Sequence, residues 1–243
     1  MRLFNLHSLS AAAAAVLFSA LCAGAPAAAE TSVAAPCALP PTAADWHARL
    51  AAQPAAARAG QTIAVAVDLA ASADVALDAD GGLRYGMAFN DVAEGWSWQP
   101  QTRPEDEDYY RWKFLPLQTV TEHGASYVQE EKVGVPQQTR VERRHDYFLA
   151  FDNPYRFYAR GDAGFVLPLP AGAAAVPSLR LVAIARLGEP ATGESTTFWK
   201  AVHARPVDFT LKKHYLIGAL SALVACDARD GRELARIVAD GQR

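Results

Sequence analysis

The stretch Gln137-Gln138-Thr139-Arg140-Val141-Glu142-Arg143-Arg144-His145-Asp146-Tyr147-Phe148-Leu149-Ala150-Phe151-Asp152, bounded by Pro136 and Pro154, decides the fold. It is the longest run of period two in the chain. One face carries Val141, Arg143, His145, Tyr147, Leu149 and Phe151, and the other carries Arg140, Glu142, Arg144, Asp146 and Phe148. Successive side chains of an extended backbone point to opposite sides, so this alternation specifies a strand. Its first half is polar on both faces and is expected to project beyond the core or to lie at a sheet edge. The half from Tyr147 to Phe151 is expected to be buried.

The same period recurs on either side. Upstream, Ile63, Val65, Val67 and Leu69 alternate with smaller or polar residues; Val75-Ala76-Leu77 then leads through Asp78-Ala79-Asp80-Gly81-Gly82 into Leu83, Tyr85, Met87 and Phe89. The Asp/Gly cluster supplies the positive backbone angles of a tight turn, so these runs predict a strand and a hairpin. Tyr110, Trp112 and Phe114 alternate with Tyr109, Arg111 and Lys113 before a polar, turn-like segment around Glu122-His123-Gly124. Downstream, Asp152-Asn153-Pro154 predicts a turn, and further strands are expected at 155–159, 164–169, 178–187, 195–201 and 206–211.

Residues 215–226 are rich in Leu and Ala, which favours a helix, and only Ile217 and Val224 are β-branched. The turn-like Asp227-Ala228-Arg229-Asp230-Gly231 before 233–238 favours two strands of a hairpin instead, with helix as the alternative. The one clear helical signature lies near the start. Thr42 precedes Asp45 by three positions, a variant of the capping box, and a short helix follows whose Trp46 and Leu50 must dock on the domain to hold it.

Many short strands and a single helix predict a mainly β, β-rich α+β chain: an antiparallel sandwich or barrel-like domain with a short N-terminal helix. Residues 30–41 read as an extended Ala/Pro-rich segment and 42–243 as one domain, with 170–177 the only candidate subdivision. Residues 1–29 read as a secretory signal peptide: a basic start at Arg2, an apolar stretch with an alanine run, and Ala27-Ala28-Ala29 before Glu30. The apolar stretch is too short to span a bilayer, and Leu21 before Cys22 is too bulky for a lipoprotein signal.

Of the 3 cysteines, Cys22 leaves with the leader. Cys37 and Cys226 remain, one near each end of the mature chain. An even pair in an oxidising compartment predicts a disulfide, worth about 5 kcal/mol by the loop-entropy argument, although measured values usually fall below it. Lys and Arg total 23 against 26 Asp and Glu, a formal net charge of −3. That balance provides no electrostatic footprint for nucleic acid or an anionic membrane. No later segment reaches membrane-spanning length.

The common catalytic motifs are missing from the sequence: there is no Gly-x-Ser-x-Gly elbow, no His-Glu-x-x-His pair, no phosphate loop and no dinucleotide glycine fingerprint. Asp74, Asp78 and Asp80 suggest calcium, but Phe89 stands where an EF-hand loop starting at Asp78 needs its closing Glu, and a hairpin turn explains them. Glu105-Asp106-Glu107-Asp108 reads as a solvated loop. His123, His203 and His214 have no spacing that marks ligands or bases, and His145 and Asp146 point to opposite faces.

The candidate binding residues are Trp96 and Trp98, whose indoles offer broad apolar faces with polar edges, together with Arg144 and Arg156 flanking the densest aromatic segment. No catalytic residue, metal ligand or cofactor is assigned. The expected protein is an exported, periplasmic or secreted binding or accessory protein of a bacterial envelope. Its partner is an unknown envelope protein or glycan, neither nucleic acid nor lipid bilayer. The alternative is a hydrolase working through carboxylates or a dispersed triad.

Overall fold

A computed structural model of the protein describes residues 36–69, 75–77, 83–86, 113–129, 136–152, 164–170 and 179–239. In chain order its elements are α1 (Ala43–Ala51), α2 (Ala55–Arg58), β1 (Thr62–Val67), β2 (Val75–Leu77), β3 (Leu83–Gly86), β4 (Lys113–Gln129), β5 (Gln137–Phe151), β6 (Gly164–Leu167), β7 (Leu179–Trp199), β8 (Val207–Asp227) and β9 (Arg232–Val238). The mainly β reading of the sequence holds. Six strands form one sheet in the order β1-β7-β8-β5-β4, with β9 pairing the later part of β8. Three short strands form a second sheet, β2-β3-β6.

The main sheet is mixed and does not close into a barrel. Its pairs are antiparallel except for β5 and β8, which run parallel from Arg140↔Val207 to Phe151↔Gly218. Parallel neighbours need a long crossover, and here the chain between them contains β6 and β7. Along its edge β8 pairs first with β5 and then, from Ala222, with β9. The segment 215–226 is therefore strand. Pairing along both sides outweighs its scarcity of β-branched residues, and Gly231, at φ 70°, supplies the left-handed position of the closing turn.

Two expected interruptions are absorbed within continuous strands. The polar residues around Glu122-His123-Gly124 lie inside β4, where the ladder shifts between Gly124 and Tyr127. The two strands expected at 178–187 and 195–201 are one, β7, whose ladder shifts between Leu187 and Thr192. Pro190 lies in that shift and has no N–H to give a ladder. A bulge accommodates such residues without ending the strand. The hairpin between residues 77 and 83 forms with Leu77 opposite Leu83. The strand expected at 155–159 lies outside the described residues.

The first half of β5 is flanked by both β4 and β8, so it projects from the core without being an edge. Its inner half is buried through Leu149, Ala150 and Phe151. On one face of the sheet, Leu149, Phe151, Leu216 and Leu220 pack with Leu115, Leu117, Ile63 and Val65 beneath Ala43 and Leu50 of α1 and Leu167 of β6. The other face holds Phe114, Ala150, Tyr215 and Ile217 in one cluster. Cys37 and Cys226 lie in another, with Val182, Ile184 and Val224. The expected disulfide joins them across a Cα separation of 5.6 Å. Gly218 is required by close approach: a Cβ there would lie 2.2 Å from the Arg186 carbonyl oxygen.

Helix α1 sits where its sequence signals place it. Thr42 caps the Asp45 N–H, and the Asp45 carboxylate accepts from the Thr42 backbone, completing the capping box. Leu50 is fully buried, which stabilises docking by about 2 kcal/mol. The Trp46 indole N–H donates to the Ala64 carbonyl of β1 at 2.8 Å. Both anchors turn the intervening residue, His47, toward the sheet.

Candidate functional site

Going outward along the sheet face beneath α1, the apolar core gives way to polar rings. On β5 the sequence of side chains is Phe151, Leu149, Tyr147, His145; on β8 it is Leu216, His214, Lys212. The ladders set Tyr147 opposite His214 and Glu194 of β7 opposite His214 on its other side. A period of two therefore delivers His145, Tyr147, His214 and Glu194 to one face. His47 descends on them from α1.

His47, Tyr147, Glu194 and His214 line an open cleft of about 650 Å³ between α1 and the sheet, with Ala48 and Arg58 on the helical side and Thr192 beside Glu194. His145 and His214 are nearly coplanar, at 4°, with His145 Nδ1 and His214 Nε2 3.0 Å apart. His214 Nδ1 lies 3.3 Å from Glu194 Oε1. Two facing imidazole nitrogens need one proton between them. With the Glu194 carboxylate accepting from His214 Nδ1–H, His214 Nε2 must accept from His145 Nδ1–H. The three groups then form a one-way relay from His145 to Glu194.

Tyr147 stacks on His214 with centroids 4.6 Å apart, and His47 meets both rings edge-on, 5.7 Å from Tyr147 and 5.3 Å from His214. Burial pushes the His47 imidazole down to about 4. The neighbouring His214 adds to that shift, while Glu194 and a backbone hydrogen bond to Tyr215 oppose it. His214 is also lowered by burial, against the pull of Glu194. Both rings are accordingly neutral at pH 7 and keep a lone pair. Burial, followed by Glu122 and Glu194, raises the Tyr147 phenol above its ordinary value, so it stays protonated.

One atom in this arrangement is unsatisfied. His47 Nε2 is buried and has no hydrogen-bond partner among the described residues. A buried polar atom in that state costs about 1–3 kcal/mol unless something fills the gap. A ring nitrogen of His47, a ring nitrogen of His214 and a Glu194 carboxylate oxygen also lie within 4.8 Å of one another, so donor atoms from three elements converge in the cleft.

Of the residues singled out from the sequence, Arg144 lies elsewhere. Arg144 is on the opposite face of β5 from His145, where its Nε donates to Asp146 Oδ1 at 2.8 Å; the same oxygen accepts from Thr119 at 2.9 Å. It therefore orders a strand face and does not join the cleft. Trp96, Trp98 and Arg156 lie outside the described residues, as do Asp74, Asp78, Asp80 and the acidic run 105–108. His123 and His203 are exposed. His214 is half-buried, and both of its ring nitrogens face a partner.

Sequence reasoning missed the group formed by His47, His145, Tyr147, Glu194 and His214 because it draws on four elements. The alternation placing His145 and Tyr147 on one face was legible; the parallel register bringing His214 beside them was not. No protein-family model, curated protein or solved structure matches the chain. The reading of the site therefore rests on its chemistry.

Proposed function

We propose that the protein is an exported binding protein of the bacterial envelope that takes a small polar ligand in the cleft between α1 and the main sheet. The observation that carries the reading is the convergence of imidazole, phenol and carboxylate groups around the unsatisfied His47 Nε2. Concave sites with a few convergent polar groups are where small ligands bind. Export is supported by the apolar leader-like sequence at 1–29 and by the Cys37–Cys226 disulfide, a bond that persists in oxidising compartments. Among the described residues, no helix is long and apolar enough to cross a membrane.

The test is a thermal-shift panel of phosphate, citrate, free amino acids, mono- and disaccharides and divalent metal chlorides on the wild type and on Ala48→Trp. Ala48 is exposed on α1 at the cleft wall, so the indole fills the cleft without disturbing the core. At least one class should raise the melting temperature of the wild type and leave the variant unmoved. A panel without effect on the wild type, or shifts that persist in Ala48→Trp, would overturn the reading.

The second reading, a hydrolase, is favoured by the His145–His214–Glu194 relay, which is suited to moving a proton. Its difficulty is the nucleophile. The hydroxyls that line the cleft belong to Thr192 and Tyr147, and the phenol is held protonated. Hydrolysis of activated esters or phosphodiesters that disappears in His214→Ala would favour this reading over binding alone.

A further inference from the structure

We infer that the cleft is a binding site for a divalent transition-metal cation of the zinc class, held by His47 Nε2, His214 Nδ1 and a Glu194 carboxylate oxygen. The inference rests on the cleft being the ligand site and names what it takes. Two imidazoles and a carboxylate are a borderline donor set: they suit Zn²⁺, Cu²⁺ or Ni²⁺ and offer too few oxygens for Ca²⁺ or Mg²⁺. Three protein ligands leave a fourth position open to water or to a small anion.

The geometry is close to what such an ion needs. A ring nitrogen of each histidine and a Glu194 oxygen lie within 4.8 Å of one another. Donors placed about 2.0–2.1 Å from a tetrahedral ion stand about 3.4 Å apart; His214 Nδ1 and Glu194 Oε1, at 3.3 Å, already meet that spacing, and no pair has to close by more than about 1.4 Å. One of the ligands has room to adjust. Glu194 has a side chain 68% exposed, whereas His214 is 13% exposed and is fixed between Tyr147 and His145.

His145 completes the arrangement. Once His214 Nδ1 gives its lone pair to a cation, its proton resides on Nε2 and is donated to His145 Nδ1, 3.0 Å away. The relay reverses, and His145 becomes the positioning residue that fixes the tautomer and orientation of a ligand, a role that metal-bound imidazoles regularly assign to a neighbour. His47 needs no rearrangement of partners, because its Nε2 has none among the described residues. Arg58 at the cleft wall adds a positive charge that would favour an anion at the open position.

Isothermal titration of the chelator-treated, disulfide-intact chain with ZnCl₂ tests the inference, with Co²⁺ visible absorption as a second readout of coordination. The expected result is one equivalent of zinc bound in the micromolar range or tighter, and an intensified cobalt spectrum. Affinity should fall about 100-fold in His47→Ala and about 10-fold in Glu194→Gln and in His145→Ala. His123→Ala, exposed on β4 and outside the cluster, should bind like the wild type. Glu194→Gln alters an exposed side chain and keeps the test valid even where His47→Ala fails to fold by circular dichroism. Absence of stoichiometric zinc binding overturns the inference, as does binding unchanged in Glu194→Gln and His145→Ala. If zinc fails while phosphate, citrate or a sugar stabilises the wild type and not Ala48→Trp, the metal is wrong and the cleft stands. If every ligand fails, the cleft reading falls with it.

Discussion

Strand β8 passes through two environments as one continuous strand. From Tyr215 to Asp227 it is buried almost throughout; from Val207 to His214 it is only partly covered. Strand β4 shows the same division, buried at Phe114, Leu115 and Leu117 and exposed from Thr121 to Val128. Backbone pairing is common to both halves, so pairing does not distinguish them. Cover does: the inner half lies under α1 and Leu167, and the outer half projects past them. The polar cleft occupies the seam, where a side chain can be held by neighbours and still reach solvent.

If that contrast is right, stability should reside in the inner half. Leu216→Ala, which removes a fully buried side chain one step inward from His214, should cost about 2–5 kcal/mol in urea unfolding. A loss below about 1 kcal/mol would show that the inner half is not the stabilising part. Replacing both Cys37 and Cys226 by Ser should cost about 2–5 kcal/mol as well, nearer the lower end because the entropy argument usually overestimates, and the loss should match that of the wild type under reducing conditions.

The seam should reveal itself by pH. His47 is lowered from 6.5 to about 4 in the metal-free fold, so the unfolded chain binds the proton first. Its contribution is complete above pH 6.5 and is lost as pH falls through that window toward 4, a change of up to about 3 kcal/mol. His47→Leu should flatten the pH dependence between those limits, and an unaltered profile in the variant would remove His47 as its source. The outer half should respond least. Val128→Thr, at a position 61% exposed and with β-branching retained, should leave stability within about 0.5 kcal/mol.

The elements of the fold were legible in the sequence because alternation is a local property. Ile63 to Val67, Tyr147 to Phe151 and the Asp227–Gly231 turn each announced their structure within a few residues. Partner choice is not local. Nothing in residues 137–152 shows that their neighbour is the parallel strand from Val207, since alternation states which face a residue takes and is silent on what lies beside it. The cleft inherits that limit. His145 and Tyr147 share a face by counting, but His214, Glu194 and His47 join them only through tertiary register and the docking of α1. The two tryptophans drew attention because they are large and stand two positions apart; the histidines escaped it because each is ordinary by itself.

The bond between Cys37 and Cys226 spans 189 positions of chain. As synthesis proceeds from the first sulfur to the second, nearly every strand of the main sheet has been made before the second exists. The crosslink therefore cannot form until the chain has been made through β8, with β9 the one described strand still to come. Its oxidation state becomes a record of passage through β8, so that thiol labelling of newly made chains would separate those that have joined their two ends from those that have not.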